Sequence, residues 1–518
     1  MPSHMSLRTR RVAGLLTVVV AAATAGAACG SDGGSSQSGG TKTMTFVASR
    51  SPDEPIGLLY RLGGSAAYTD LAGDVLVTRD PKDGTLHGQL ATSWKEIDDH
   101  NWEFTLRQGV KFHDGEEFDA AAAAWSINKE TAPDSTARVV RYAKGLQASA
   151  KDKFTLAVHC PNACPILDRI APQLQFAAPD WSQKNPDKAK TWPMGTGPFM
   201  LTERTDTFLL YKAFKDYWGD TGYFDQVKIV WRPDSTVRAS MIATGEAQLT
   251  DLLEPEQVKT VPKTFIPRSI DYAWIRLRDR DASGKADPIW SDARFRQALA
   301  YAIDCDAMAK TLLNDTSHCT ALPFNPASVG YVDNAPRYTY DPKKARELLD
   351  QVLGPGKQLD GVKVYGETGD FPKTWADTVL SYWKDIGVNA TFQFVDGERR
   401  EKLHQPGVKG SPPDVFIQRA HTNDLYDASV TFAYMDGCNE PRSYSVCDPA
   451  FTKQLQTAEA ASGDQRDKLM EEISTTVFIP DAHQIPLWDS PDIFASVKNL
   501  QWSSPQVGWL RPDLMSMS

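Results

Sequence analysis

Three regimes of hydrophobic and polar patterning follow one another along the chain. Residues 12–28 form an uncharged run, preceded by Arg8, Arg10 and Arg11 and closed by Gly26-Ala27-Ala28-Cys29. A basic start, an apolar stretch and small residues at its end predict a secretory signal peptide over 1–28. The run falls short of the roughly 20 apolar residues that a membrane span needs. Residues 30–42 (GSDGGSSQSGGTK) hold almost nothing that can be buried, which predicts a flexible linker over 29–42. Periodic patterns begin only after it. Trp102, Phe104 and Leu106 alternate with Glu103, Thr105 and Arg107, the period of a half-buried strand. With the turn Asp98-Asp99-His100-Asn101 in front, 93–97 and 101–107 read as a hairpin. Asp119 then caps an alanine-rich helix over 120–130. Phe295, Leu299, Ala302 and Ile303 share one face of a helix capped by Ser291 or Asp292. Asp341-Pro342 sets an N-cap before a first-turn proline, with Gly354 as the stop, and Leu469, Ile473 and Val477 mark another helix over 466–477.

Composition narrows the classes. The formal charge is −10, and removal of the leader's three arginines takes it to −13, so no basic surface is available for nucleic acid. Roughly 475 residues follow the linker, enough for two or three cores. Cys29, just after the small residues, resembles the cysteine of a bacterial lipobox, with Gly26 where Leu or Val is usual. That resemblance implies a lipid on Cys29 and a body tethered to the extracytoplasmic face of the membrane without spanning it. The alanine-rich leader points to a Gram-positive, actinobacterial type of cell. Six cysteines remain, an even number that in an exported chain favours disulfides. Many connectivities are open, but the six fall into close pairs, Cys160/Cys164, Cys305/Cys319 and Cys438/Cys447, and local bridges are the economical reading. None has the two-residue spacing of a zinc knuckle, so no metal or other cofactor is expected.

Residues 91–96 (ATSWKE) and 102–115 (WEFTLRQGVKFHDG) resemble the signature of the family 5 extracellular solute-binding proteins, the oligopeptide, dipeptide and nickel receptors of ABC importers. Further similar segments follow in order: Gly195-Thr-Gly-Pro-Phe199 with Tyr217-Trp218, Thr244-Gly-Glu-Ala247 through Pro255-Glu256, residues 294–304 (RFRQALAYAID), Asp341-Pro342, and Cys447-Asp-Pro449 with Phe451. The residues themselves read as structural, so Trp102 and His113 are not expected to touch a ligand. The resemblance implies an α/β, two-lobed periplasmic-binding-protein-like fold with an extra subdomain inserted in lobe I, of the cluster C type. Lobe I takes 43–60, 190–275 and 485–518, the insertion 61–189, and lobe II 276–484. The implied partners are a peptide, the permease subunits and the membrane through the lipid, with the chain itself a monomer.

In that family an aspartate takes the α-ammonium of an extended peptide whose backbone pairs with a strand. The stretch similar to its motif is 419–428 (RAHTNDLYDA). It puts Asp424 at the ammonium site and Ala420 and Thr422 at the strand positions, with His421 replacing the family tryptophan and Asn423 the alanine before the aspartate. Arg419 is the candidate for a ligand carboxylate, while Arg399, Arg400 and Lys402 read as an exposed helix face. The alternatives are an oligosaccharide, another small polar solute or a metal chelate on the same fold. More remote is a serine enzyme, since Ser126/Lys129 and Ser381/Lys384 match S-x-x-K, although the K-T-G and S-D-N partners are missing.

Overall fold

The computed structural model describes residues 40–518 except 53–54, 61–65, 268, 281–284, 369–370, 405–414, 422, 436–437, 439–445, 491 and 504–509, with backbone alone for 401–404, 420 and 421. The expected leader, the lipid-bearing Cys29 and nearly all of the linker therefore lie outside the described residues. Among the described residues no helix is long and apolar enough to cross a membrane.

Three sheets organise the body. The first has seven strands, in the order Lys263–Phe265, Phe494–Ser496, Leu249–Thr250, Thr43–Ala48, Gln226–Trp231, Phe208–Ala213 and Phe199–Arg204. Thr43–Ala48 runs parallel to both neighbours, and strands so placed bury both faces. Met44 and Phe46 enter one core, and Val47 meets Met241 and Ile242 of the helix Ser235–Thr244 on the other side.

The second sheet is antiparallel, four strands in the order Ala91–Asp98, Asn101–Leu106, Thr155–His159 and Gln147–Asp152. It contains the expected hairpin. Helix Ala120–Glu130 covers it, with Asp119 accepting the amide of Ala122 as the N-cap. Trp102 donates to the Cys164 carbonyl at 3.1 Å, and His113 bonds the Gly197 carbonyl at 2.9 Å. Burial holds the His113 imidazole down at about 4. Both side chains are structural, as their patterns predict.

The third sheet has five strands, in the order Val388–Val395, Leu359–Glu367, Val415–His421, Asp271–Leu277 and Gln484–Asp489. Along Asp271–Leu277 the side chains alternate between two cores. Ala273, Ile275 and Leu277 face a cluster with Phe295, Leu299, Ala302 and Ile303, while Tyr272 and Trp274 face one with Phe432, Phe451 and Met470. The expected boundaries at 275/276 and 484/485 fall inside two strands of this sheet. Both strands are hydrogen-bonded within this sheet. Just outside them Ser269 Oγ donates to the carbonyls of Asp271 (2.7 Å) and Ser490 (2.9 Å), tying the segment before Asp271–Leu277 to the end of Gln484–Asp489. The three local disulfides Cys160–Cys164, Cys305–Cys319 and Cys438–Cys447 are all formed.

Candidate ligand-binding site

The stretch 419–428 leaves the five-stranded sheet and turns toward the four-stranded one. Ala420 and His421 still sit opposite Tyr272 and Asp271 in the ladder, and Thr422 lies outside the described residues. Asn423, fully buried, builds the turn. Its carbonyl accepts the Tyr426 amide (3.1 Å), its Nδ2 donates to the Asp427 carbonyl (3.1 Å), and its Oδ1 accepts from Ser328 Oγ. Tyr426 has φ 53°, a left-handed conformation that is strained for a bulky residue. The surroundings fix it there. Val329 N and Arg169 Nη1 donate to its carbonyl at 3.0 and 3.2 Å, and the Arg79 guanidinium lies 4.9 Å from its ring. Asp427 is clamped by Arg466 through Nε (2.8 Å) and Nη2 (3.0 Å). Burial alone raises the Asp427 carboxyl, but the Arg466 bonds outweigh it and hold the group below its ordinary value.

Asp424 is buried, its side chain 3% exposed. A solvated acidic loop is therefore not what this sequence forms. Arg138 Nη2 donates to Oδ1 at 2.6 Å and to Oδ2 at 2.5 Å, and the Tyr142 hydroxyl donates to Oδ2 at 2.6 Å. Both partners come from the region of the four-stranded sheet, 286 and 282 residues away in sequence. Burial by itself lowers the Arg138 guanidinium, and the Asp424 carboxylate more than reverses this, so the arginine is held firmly cationic. Burial and then the Asp424 charge raise the Tyr142 phenol, which stays a donor. Leu425, 1% exposed, inserts into the hydrophobic cluster of the four-stranded sheet. Three consecutive residues thus fasten the third sheet's turn to the second sheet's body by an ion pair, an apolar plug and a cation over a ring.

Arg419 goes elsewhere. Its Nη2 donates to Asp492 (3.0 Å) and Asp271 (3.3 Å), so its charge is matched by two carboxylates. Arg400 pairs with Glu367 and Arg399 is exposed, on the helix Gly397–His404; of the Lys402 side chain nothing is described. Arg138, Tyr142, Arg79 and Arg169 were not found by reading the sequence. No local signal in 131–142 (TAPDSTARVVRY) marks an arginine that pairs across nearly three hundred residues.

Residues 85–442 match the description of bacterial extracellular solute-binding proteins, family 5. The chain belongs to this family. Among its relatives is a glutathione-binding protein of Salmonella paratyphi A, 29% identical over 65% of this chain and 66% of its own length, a little under two thirds. The dipeptide-binding protein of Escherichia coli K12 is 25% identical over 83% of this chain and 85% of its own. In fold the chain resembles a DppA from Helicobacter pylori solved in complex with the peptide STSA, with a TM-score of 0.70 at 20% identity, over 92% of this chain and 98% of the other. The two-lobed α/β architecture is the family's, and the relatives are solute-binding proteins of ABC importers.

The remaining constellations of this family 5 chain are structural. Ser126 Oγ is fully buried and bonded to the Ala177 carbonyl (3.3 Å) and amide (3.2 Å), while Ser381 and Lys384 lie exposed on the helix Lys373–Asp385. Neither pair has the geometry of an activated serine. Asp448, Asp481 and His483 bring their ligating atoms within 4.8 Å of one another, the one such group among the described residues. His483 faces Asp448 at 3.6 Å and helps pull that carboxyl down to about 2, and Asp448 caps the helix Pro449–Glu459. Asp448 thus starts that helix, its side chain accepting the Ala450 amide.

Proposed function

We propose that this chain is the extracytoplasmic receptor of an ABC importer, capturing short peptides between its lobes and handing them to the permease. One observation carries the reading. Strand Val415–His421 pairs along its whole length with Asp271–Leu277, but with Leu359–Glu367 only at Val415 and Phe416. Among the described residues the other edge from Ile417 onward has no ladder partner, and it leads straight into the turn that holds Asp424. An extended backbone laid along that edge gains main-chain hydrogen bonds without any reading of side chains. Two of the relatives, a dipeptide-binding and a glutathione-binding protein, are in keeping with a peptide-like solute.

In this reading 43–265 with 494–518, less the inserted subdomain, is lobe I, and the five-stranded sheet with its helices is lobe II. A lipid on Cys29 keeps the receptor near its permease, so that capture and delivery are close in space. Thermal denaturation tests the ligand class. A peptic casein digest at a hundredfold excess over Kd stabilises the protein by about 2.7 kcal/mol, and maltooligosaccharides leave it unchanged. Stabilisation by the sugars alone would point to the oligosaccharide alternative. Replacement of Cys29 by serine should release the chain from membranes into the medium; retention in the membrane fraction would remove the tether.

A further inference from the structure

The Asp424 carboxylate, where the family resemblance seats a ligand ammonium, already has a cation. Arg138 touches both oxygens through a single nitrogen, and Tyr142 fills a further acceptor position on Oδ2. A ligand amine within bonding distance of the same oxygens would lie beside the guanidinium, two like charges around one buried carboxylate, which is unfavourable. Nor is the surrounding charge short of cations. Arg79, Arg138 and Arg169 gather on the turn, where Asp427 is already matched by Arg466. Burial, and then the neighbouring Arg169, push the Arg79 guanidinium down to about 10, the direction expected where cations crowd together.

Arg138 also keeps capacity to read something else. Only its Nη2 is engaged, and the side chain retains 17% exposure. The other three of a guanidinium's five N–H donors therefore remain for an acceptor on the ligand.

We propose that Arg138 is a specificity-determining residue that stands on Asp424 in place of a ligand's α-ammonium, so that the protein selects peptides whose leading end is uncharged or anionic, an N-acylated peptide being the simplest case. The acyl carbonyl would accept from the unused guanidinium donors while the ligand backbone lies along 417–421. The inference rests on the peptide reading above.

A peptic casein digest, acetylated on its amines and mixed in equal amount with the untreated digest, provides the probe. The full chain is incubated with the mixture, separated from free peptide, and the retained peptides are sorted by mass. Wild-type protein should retain acetylated peptides at least tenfold over free ones. Arg138→Ala should abolish or invert that ratio by exposing the Asp424 carboxylate to free amines, and Arg138→Lys, which keeps the cation, should preserve it. Arg138→Gln serves where the alanine variant does not fold. Equal retention of both kinds by wild type, preference for free amines, or a ratio that Arg138→Ala and Arg138→Gln leave unmoved overturns the proposal while the peptide reading stands. Retention of neither kind overturns both.

Discussion

The ion pair between Arg138 and Asp424 makes a sharp energetic demand on the protein in solution. The two side chains are 17% and 3% exposed, so removing either leaves the other's charge largely out of water. Truncating one partner of such a buried pair costs about 3–5 kcal/mol, because the survivor is left desolvated and unmatched. Arg138→Ala should lie toward the upper end, since it strands the more deeply buried group without its paired cation. Asp424→Ala leaves a guanidinium that can still reach water and should cost somewhat less. The double variant removes the mismatch as well as the attraction. It should be no less stable than the worse single variant, giving a coupling energy of at least about 3 kcal/mol. Urea denaturation followed by tryptophan fluorescence measures all four corners of the cycle, with the m-value as a check that the cooperative unit is unchanged. Raising NaCl to 0.5 M should shrink the coupling only slightly, as salt screens buried charges weakly. Single effects that sum to the double within about 0.5 kcal/mol would show that the pair does not form, and the site would then have to be rebuilt without it.

Three further outcomes follow from the same structure. Arg466→Met removes the side-chain cation bonded to the fully buried Asp427 and should destabilise by about 3–5 kcal/mol, read by urea titration; a loss below 1 kcal/mol would mean that Asp427 finds another partner. Replacing both Cys305 and Cys319 by serine opens a loop with a sequence separation of 14 and should cost about 3 kcal/mol, while the Cys160–Cys164 pair, separated by 4, should cost less; the reverse order in thermal melts would contradict the chain-entropy argument. Burial raises the Asp74 carboxyl from 3.8 to about 6, so the folded state holds this proton more tightly than the unfolded chain. This group's contribution is therefore greatest below pH 4 and falls by about 3 kcal/mol as pH rises through 6. Asp74→Asn should flatten the wild-type dependence of Tm between pH 4 and 6.5, and parallel curves for the two proteins would refute the assignment.

Local chemistry was readable in the sequence wherever a short stretch determines it. Asp341-Pro342 predicts a helix start, and Asp341 does accept the Lys344 amide at 2.9 Å at the head of Pro342–Leu353. The 93–107 hairpin and the three close cysteine pairs are equally local, each decided by residues within a few positions. Helix 466–477 was caught in its middle, and it begins at Gly463, because Ser462 offers no side-chain cap to mark the start. The site was harder. Asp424 was identified through the family motif, but what meets it was not, because Arg138 is joined to it only by the tertiary fold. Arg419 shows the same limit. Its nearness in sequence to Asp424 suggests a shared task, yet in the structure Asp271 and Asp492 take its charge. The lobe boundary expected at 275/276 falls inside a strand, since hydrophobic alternation in Asp271–Leu277 does not reveal which sheet a strand joins.

Native mass spectrometry of the protein as purified from its source cells, with no ligand added, bears most directly on the central claim that a peptide is held between the lobes. A co-purified species that fragments into an amide ladder, most simply with a blocked or acidic leading residue, is the predicted result. A bound species that fragments by loss of hexose units, or that contains no amide bond, would contradict it.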